Sequence, residues 1–195
     1  MKKLFILFFI LIIPASDLFA FEKQAEKFII ETTTKAKEII LNTKINDLDK
    51  KKFLENLVVN SVDIEGLAKF TLGAEAKKLT DKEMEKFTTN FRTFFSKNIS
   101  NKLKDYSDQN VVIIGSKMIS ENYVLVNSKI VSNKNKQEIL VDWRVFFLNQ
   151  KLIIRDLVVE GLSLARTQRE EFASIIANKG FKGLNESLNS YINKN

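Results

Sequence analysis

The stretch 123–159, YVLVNSKIVSNKNKQEILVDWRVFFLNQKLIIRDLVV, decides the fold of this chain. It holds three runs rich in Val, Ile, Phe and Trp, at Tyr123–Val131, Glu138–Leu148 and Leu152–Val159. These residue types favour β-strands because they pack well on a pleated surface. In the middle run every second residue is apolar, which places Ile139, Val141, Trp143, Val145 and Phe147 on one face. The stretch therefore predicts part of a sheet with one apolar face.

The segments around these runs predict the connections between strands. A further apolar run, Val111–Ile114, precedes them and predicts another strand. Turn-forming residues separate the runs, namely Gly115-Ser116, 132–135 and Asn149-Gln150. We expect an antiparallel meander of about four or five strands.

Helical patterns flank the sheet on both sides. Before it we expect helices at Phe21–Asn42 and Asp49–Val59, a third capped by Asp63 and ended by Gly73, and a long fourth that follows Thr80. Thr80 and Glu83 form a capping-box pattern at the start of the fourth helix. After the sheet we expect helices at Ser163–Asn178 and Phe181–Ile192. Helices, then strands, then helices predict an α+β fold.

The fourth helix carries an aromatic stripe at helical spacing. Its members are Met84, Phe87, Phe91, Phe94, Phe95, Ile99, Leu103 and Tyr106. Steps of three, four and seven residues place them on one face of the helix. The same residue types line close-packed cores and apolar cavities, so the spacing leaves both interpretations open.

The first twenty residues have the pattern of a cleavable signal peptide. Lys2 and Lys3 precede the apolar run Leu4–Ile13, and Ala20 offers a small residue for cleavage. The run is shorter than the roughly 20 residues that span a bilayer, which disfavours a retained membrane anchor. We expect a signal peptide at 1–20 and a single domain at 21–195. The chain contains no cysteine, so the exported domain has no disulfides.

The residue inventory disfavours most catalytic chemistry. The chain has neither His nor Cys, which removes His-dependent triads, thiol nucleophiles and nearly all zinc sites. No glycine-rich phosphate loop is present, and we assign no catalytic and no metal-binding residue. Asp142, Asp156 and Glu160 could serve as acid or base groups, but we expect Asp142/Arg144 and Arg155/Asp156 to form ion pairs instead. The net charge of +7 suits an anionic partner or reflects a lysine-rich background, and export argues against nucleic acid.

Several stretches, taken in order, resemble the MlaC family, also called toluene-tolerance auxiliary proteins. Ile64–Gly73 resembles the family's "ia-x-x-x-LG" helix, and Thr80–Phe87 its "T-x-x-q-x-x-x-F" segment. Asp156–Leu164 resembles the pattern "D-v-x-v-e-G-v-S-l". Further along, Arg169 and Phe172, and then Gly180 and Leu184, match the positions of the family's closing motifs. The resemblance covers nearly the whole chain after residue 20.

The resemblance implies a fold and a function. Proteins of this family have an NTF2-like curved antiparallel sheet packed against N-terminal and C-terminal helices, with an apolar pocket between them. It implies a periplasmic phospholipid carrier, with bound phospholipid as cargo and no cofactor. The implied partners are an inner-membrane ABC transporter with an MCE-domain subunit and an outer-membrane lipoprotein complex, and the implied role is maintenance of outer-membrane lipid asymmetry.

A carrier of this kind needs an apolar cavity for the acyl chains. We expect one wall from the long helix, formed by Phe91, Phe94, Phe95, Ile99 and Leu103. The other wall is expected from one face of the sheet, formed by Val124, Val126, Trp143, Val145, Phe147, Leu157 and Val159. We expect Arg169 to anchor the C-terminal helix through an ion pair. The alternatives are an enzyme that uses carboxylates in an NTF2-like cone and a lipid-free adaptor or chaperone.

Overall fold

The computed structural model describes residues 16–103, 106–134 and 136–194. The helices are α1 (Ser16–Leu41), α2 (Asp47–Ser61), α3 (Ile64–Leu72), α4 (Asp81–Leu103) and α5 (Leu164–Lys194), with a 3-10 turn at Gly73–Lys77. The strands are β1 (Gln109–Ser120), β2 (Tyr123–Ser132), β3 (Glu138–Leu148), β4 (Lys151–Val159) and β5 (Leu162–Ser163). The strands form an open antiparallel sheet in chain order. The predicted α+β class is therefore confirmed.

The predicted caps of α3 and α4 are confirmed. The Asp63 carboxylate accepts from Gly66 N at 3.0 Å at the start of α3, and Gly73 ends that helix with φ at +56°. Thr80 and Glu83 form the reciprocal capping box, because Thr80 N donates to Glu83 Oε2 and Glu83 N donates to Thr80 Oγ1. These short-range bonds fix where α3 and α4 begin.

The first strand differs from its prediction. Gly115-Ser116 does not form a turn; β1 runs on to Ser120, with a bulge where Ile113 pairs with Ser128 and Gly115 with Asn127. A glycine within an apolar run is typical of a β-bulge as well as of a turn, and a bulge does not end the strand. The strand reverses after Ser120 instead, and β2 starts at Tyr123. The short strand β5 was not predicted.

The C-terminal helix is interrupted at Gly180. This residue has φ 68° and ψ 177°, which breaks the helical backbone inside α5. The backbone lies in a region that glycine adopts and other residues avoid. The sequence prediction of two helices on either side of this position is therefore confirmed.

Two apolar clusters make up the interior. The helical cluster joins α3, α4 and α5 around Leu67, Phe87, Phe91, Phe172 and Leu184. The sheet cluster joins α1 to the inner face of the sheet around Ala25, Ile29, Val126, Trp143 and Val145. Val62 packs against both clusters, and its backbone forms an isolated bridge with Ile154. The helical layer is thereby attached to the sheet at β4.

Side chains of α1 cover the exposed edge of β1. Glu22 Oε1 accepts from Met118 N at 2.6 Å, and Glu26 Oε1 accepts from Ser116 Oγ at 2.7 Å. Lys37 Nζ donates to Gln109 O at 3.0 Å near the other end of the strand. Polar bonds therefore hold α1 to β1 at both ends of the helix.

The predicted signal peptide lies largely outside the described residues. Of the segment 1–20, the structure describes only residues 16–20, which form the first turns of α1 and continue without a break past Ala20. None of the described helices is long and apolar enough to cross a membrane.

Candidate functional site: an apolar cavity

A cavity of about 320 Å³ lies between the second half of α1, the end of α4 and the inner face of the sheet. The helices contribute Ile30, Thr33, Thr34, Ala36, Lys37, Ile40, Ile99, Lys102, Leu103 and Leu164. The sheet and the segment before it contribute Tyr106, Gln109, Asn110, Val111, Ile130, Ile139, Val141, Trp143, Leu157 and Val159. Most of these side chains are aliphatic or aromatic, so the arrangement is suited to a hydrocarbon ligand.

Five of the twelve residues predicted to bind lipid line this cavity. They are Ile99, Leu103, Trp143, Leu157 and Val159. Trp143 lies on the inner face, as strand alternation predicted, and is 8 % exposed. The structure therefore brings together the end of the long helix and the Trp143 face of the sheet.

The three phenylalanines of the predicted helical wall lie elsewhere. Phe91, Phe94 and Phe95 belong to the helical cluster, where the Phe91 ring lies 6.1 Å from that of Phe172. At 1.5 Å per residue, α4 is about 35 Å long. Its first turns are therefore held between α3 and α5, and only its last turns reach the cavity. The expectation that the whole stripe forms one cavity wall is corrected accordingly.

The remaining predicted residues are on the sheet but away from the cavity. Val124, Val126 and Val145 are fully buried in the sheet cluster with Ala25 and Ile29, residues of the first half of α1. Close contact with α1 leaves no space there. Phe147 is half-exposed, and its ring meets the edge of the Phe21 ring at 6.1 Å between centroids.

Sequence reasoning missed the α1 contribution to the cavity. Ile30, Ala36 and Ile40 line it, and all three lie within the predicted first helix. Their helical spacing was visible, but which neighbour that face meets depends on how α1 crosses the sheet. Ile139 and Val141 could have been included, because strand alternation places them on the Trp143 face.

Trp143 presents an apolar ring to the cavity because its polar atom is satisfied within the sheet. Its Nε1 donates to Ser128 Oγ at 2.8 Å, and Ser128 Oγ donates to Val141 O at 2.9 Å. Ser128 is itself buried. A buried indole N–H that lacks an acceptor is unfavourable in apolar surroundings. Because these two hydrogen bonds satisfy it, the ring of Trp143 can form part of the apolar cavity wall.

Three polar residues of the cavity lining meet at the start of β1. Lys37 Nζ donates to Gln109 O and, at 2.6 Å, to Asn110 Oδ1. Gln109 Oε1 is a buried acceptor with no hydrogen-bond partner. Lys102 and Tyr106 also line the cavity, and both are exposed. The cavity lining thus combines many apolar side chains with two lysines.

The strand carboxylates have structural partners rather than catalytic ones. Asp156 accepts from Ala165 N and Ser163 Oγ at the start of α5 and lies 3.3 Å from Arg144. The expected pairs are therefore wrong in detail, because Arg155 bonds Asp63 at 2.6 Å instead. Arg155 is the extra residue of the bulge in β4, because Asp156 pairs with Arg144 and Ile154 pairs with Val145.

Two further contacts involve side chains of the sheet. Asp142 accepts from Asn127 Nδ2 at 2.7 Å. Burial raises the pKa of Tyr123, whose ring stacks on Phe146 at 4.4 Å. Within the segments that the structure describes, no group of three or more acidic, His or Cys side chains is placed to hold a metal ion.

The expected ion pair of Arg169 is replaced by an aromatic contact. Its guanidinium lies 5.2 Å from the centre of the Phe70 ring and close to Gly73. A Cβ at Gly73 would come within 3.0 Å of Arg169 Nε. The glycine therefore permits the arginine to join α5 to the end of α3 through a cation–π contact.

These features define a class: α+β proteins in which an open antiparallel sheet and flanking helices enclose an apolar cavity. The sequence profile described as MlaC protein matches residues 30–190 of the chain. The chain belongs to the MlaC family.

Two similar proteins support the assignment. The toluene tolerance protein ttg2D of Pseudomonas putida is 22% identical over 120 residues, which cover 61% of this chain and 55% of that protein. The chain thus matches only about half the length of this relative. A phospholipid-binding protein from Ralstonia solanacearum, solved in complex with a phospholipid, superposes with a TM-score of 0.72 at 19% identity. This match covers 87% of the chain and 97% of the solved structure, and shows that the two share a fold.

Proposed function

We propose that this protein is a periplasmic phospholipid carrier that buries acyl chains in the cavity between α1, α4 and the sheet. The observation that carries the proposal is the apolar lining of this cavity. Membership of the MlaC family and the fold shared with a phospholipid-binding protein support it.

The energetics of lipid transfer explain why such a cavity is required. A phospholipid has about 30 methylene groups, and exposing each to water costs about 0.8 kcal/mol. Release of a bare lipid from a bilayer would therefore cost about 20 kcal/mol or more. A carrier must replace most of that contact with apolar side chains, which is what Trp143, Leu157 and Ile99 offer.

A phospholipid with two acyl chains must pass one of the walls to enter the cavity. We propose that α1 is the wall that moves.

The reason lies in how α1 is attached. Its first half buries Ala25 and Ile29 on the sheet, whereas the cavity separates its second half from the sheet. Near that second half, Lys37 bonds the start of β1 through Gln109 O and Asn110 Oδ1. Movement of the second half thus breaks few contacts.

Membership of the MlaC family supports a proposal for the wider role. We infer that the chain is exported by a signal peptide at 1–20, that 21–195 forms the carrier domain, and that it shuttles lipid between an outer-membrane lipoprotein complex and an inner-membrane ABC transporter with an MCE-domain subunit. This traffic would maintain the lipid asymmetry of the outer membrane. The protein acts by binding, and no enzymatic step is proposed.

The test begins with the protein purified from bacterial cells. Organic extraction and mass spectrometry should find phospholipid at close to one molecule per chain, and delipidated protein should take lipid from vesicles. Ile99→Asn, which places an amide in the cavity, should reduce uptake, whereas Lys35→Met at an exposed position outside the cavity should not. Absence of phospholipid from every preparation, with no uptake from vesicles, would overturn the proposal.

A further inference from the structure

Among the residues that the structure describes, every charged side chain that lines the cavity is cationic. Lys37 and Lys102 belong to the lining, and no described Asp or Glu does. Cations held at the border of a low-dielectric space attract an anion more strongly than they would in open water. The charge of the cavity therefore complements a phosphate group.

Lys37 is positioned to use its charge on a ligand. Its ammonium donates to Gln109 O and Asn110 Oδ1, and both acceptors are neutral. An ammonium has three N–H donors, so these two bonds fix its place and leave one donor for a further acceptor. Neither bond neutralises the charge.

Gln109 supplies a second, independent observation. Val111 lines the inner face, and Gln109, two residues before it in β1, lines the cavity beside it. Gln109 Oε1 is buried and has no hydrogen-bond partner. A buried acceptor without a donor is unfavourable and is satisfied when a bound group donates to it. Lys37 and Gln109 thus place a donor for an anion next to an acceptor for a hydroxyl or an ammonium.

We propose that Lys37 and Lys102 bind the phosphate of an anionic phosphodiester headgroup and that Gln109 accepts from a hydroxyl of the same headgroup. The ligand chemistry is that of phosphatidylglycerol, which combines a net negative charge with hydroxyl donors. A choline headgroup has no net negative charge, because its quaternary ammonium balances the phosphate. It also has no hydroxyl and no N–H that could donate a hydrogen bond. The inference rests on the proposed function and specifies the headgroup preference of that same cavity.

The first experiment compares headgroups at constant acyl chains. Delipidated protein is incubated with vesicles of dioleoyl phosphatidylglycerol or of dioleoyl phosphatidylcholine, and the lipid acquired by each chain is quantified by mass spectrometry. We expect about a tenfold preference for phosphatidylglycerol, which should weaken as salt is raised because the lysines are partly exposed. Equal uptake of both lipids would overturn the headgroup proposal and leave the carrier proposal standing, whereas no uptake of either would overturn the carrier proposal itself.

The second experiment removes the cations one at a time. Lys37→Met and Lys102→Met should each reduce phosphatidylglycerol uptake about three- to tenfold and change phosphatidylcholine uptake less than twofold. Lys37→Arg should restore most of the loss because it keeps the charge. Lys35→Met is the matched control, since Lys35 is an exposed residue of α1 outside the cavity. Equal losses in Lys35→Met and Lys37→Met would show that only overall charge matters and would overturn the proposed site.

The third experiment isolates the hydroxyl contact. Phosphatidylmethanol carries the same phosphodiester charge as phosphatidylglycerol but no hydroxyl donor. Wild-type protein should prefer phosphatidylglycerol, and Gln109→Leu should take up both lipids equally. A preference that persists in Gln109→Leu would reject the assignment of Gln109.

A free phosphate could satisfy the same lysines, and competition distinguishes the two sources. Inorganic phosphate or glycerol phosphate at millimolar concentration should leave lipid uptake unchanged, because neither fills the apolar part of the cavity. The control is chloride at the same ionic strength. If the small phosphates displace lipid more than chloride does, the proposal that the lysines bind the lipid phosphate is overturned.

Discussion

Trp143 donates its indole N–H to Ser128 Oγ across β2 and β3, at 2.8 Å, while its ring lines the cavity. The chain contains no other tryptophan. Fluorescence of the whole protein therefore reports the environment of one cavity wall.

Lipid loading should change the emission of Trp143. Acyl chains that enter the cavity displace solvent from the ring, so we expect a shift to shorter wavelength. Lipids with brominated acyl chains should quench the emission, because bromine would then lie close to the indole. If brominated lipid binds but does not quench the emission, the acyl chains do not lie in the cavity beside Trp143.

Ser128→Ala should destabilise the protein. The substitution leaves the Trp143 N–H buried without an acceptor and also removes the bond to Val141 O. Loss of a buried partner costs about 1–3 kcal/mol. Chemical denaturation should show this loss, whereas Ser190→Ala, at an exposed position of α5, should show almost none. Equal stability of the two variants would argue against the bond.

Phe91→Leu should reduce stability without reducing lipid capacity. Phe91 is fully buried in the helical cluster against the rings of Phe87, Phe95 and Phe172. Loss of this packing should cost about 1–3 kcal/mol of unfolding free energy. Ile99→Asn should behave in the opposite way, with a small stability loss and a large loss of uptake. Thermal unfolding and vesicle uptake, measured on the same samples, separate the effects of the two substitutions. A Phe91→Leu protein that is folded but takes up no lipid would contradict the position of Phe91 outside the cavity.

The second half of α1 should exchange its amide hydrogens faster than the first half in lipid-free protein. Ala25 and Ile29 are fully buried, whereas Ile30 is 47 % exposed and residues beyond it border the cavity. Local opening is easiest where few apolar contacts hold a helix. Hydrogen exchange with mass spectrometry should therefore show slower exchange at 30–41 after lipid loading, and little change at 22–29. Uniform exchange along α1 in both states would exclude α1 as the moving wall.

Acid should weaken the attachment of α1 to β1 through Glu26. The hydrogen bond from Lys23 lowers the pKa of Glu26, and the bond from Ser116 adds to this. A group with a lowered folded-state pKa contributes stability above its ordinary value of 4.5, and that contribution is lost as pH falls through the folded-state pKa. We expect Glu26→Gln to be less stable than wild type at pH 7 and to approach it at pH 3. A stability difference that stays constant between these pH values would contradict the role of the Glu26 charge.

Local signals predicted the elements of the fold. Asp63, Thr80 and Glu83 cap their helices through bonds within four residues, so the sequence contains the whole interaction. Alternation in Glu138–Leu148 likewise fixes which side chains face inward. The exception is Gly115, because a glycine in an apolar run is compatible with a turn and with a bulge.

The site was less predictable because it depends on distances between elements. The stripe from Phe87 to Leu103 is continuous in sequence, yet α4 leaves the helical layer part of the way along it. Lys37 and Gln109 are 72 residues apart and meet only because α1 lies over the edge of β1. No periodicity in either segment carries that information.

The cover that α1 provides for β1 has a consequence for solubility. An open sheet edge with free N–H and C=O groups can recruit a strand from another molecule, which is a common route to aggregation. Glu22 and Lys37 occupy Met118 N and Gln109 O, so two of these groups cannot pair with a neighbouring chain. The helix α1, which we propose to move during lipid loading, thus also covers the free edge of β1. If α1 moves to admit a lipid, we expect Glu22 to stay bonded to Met118 N, because release of this edge would favour self-association.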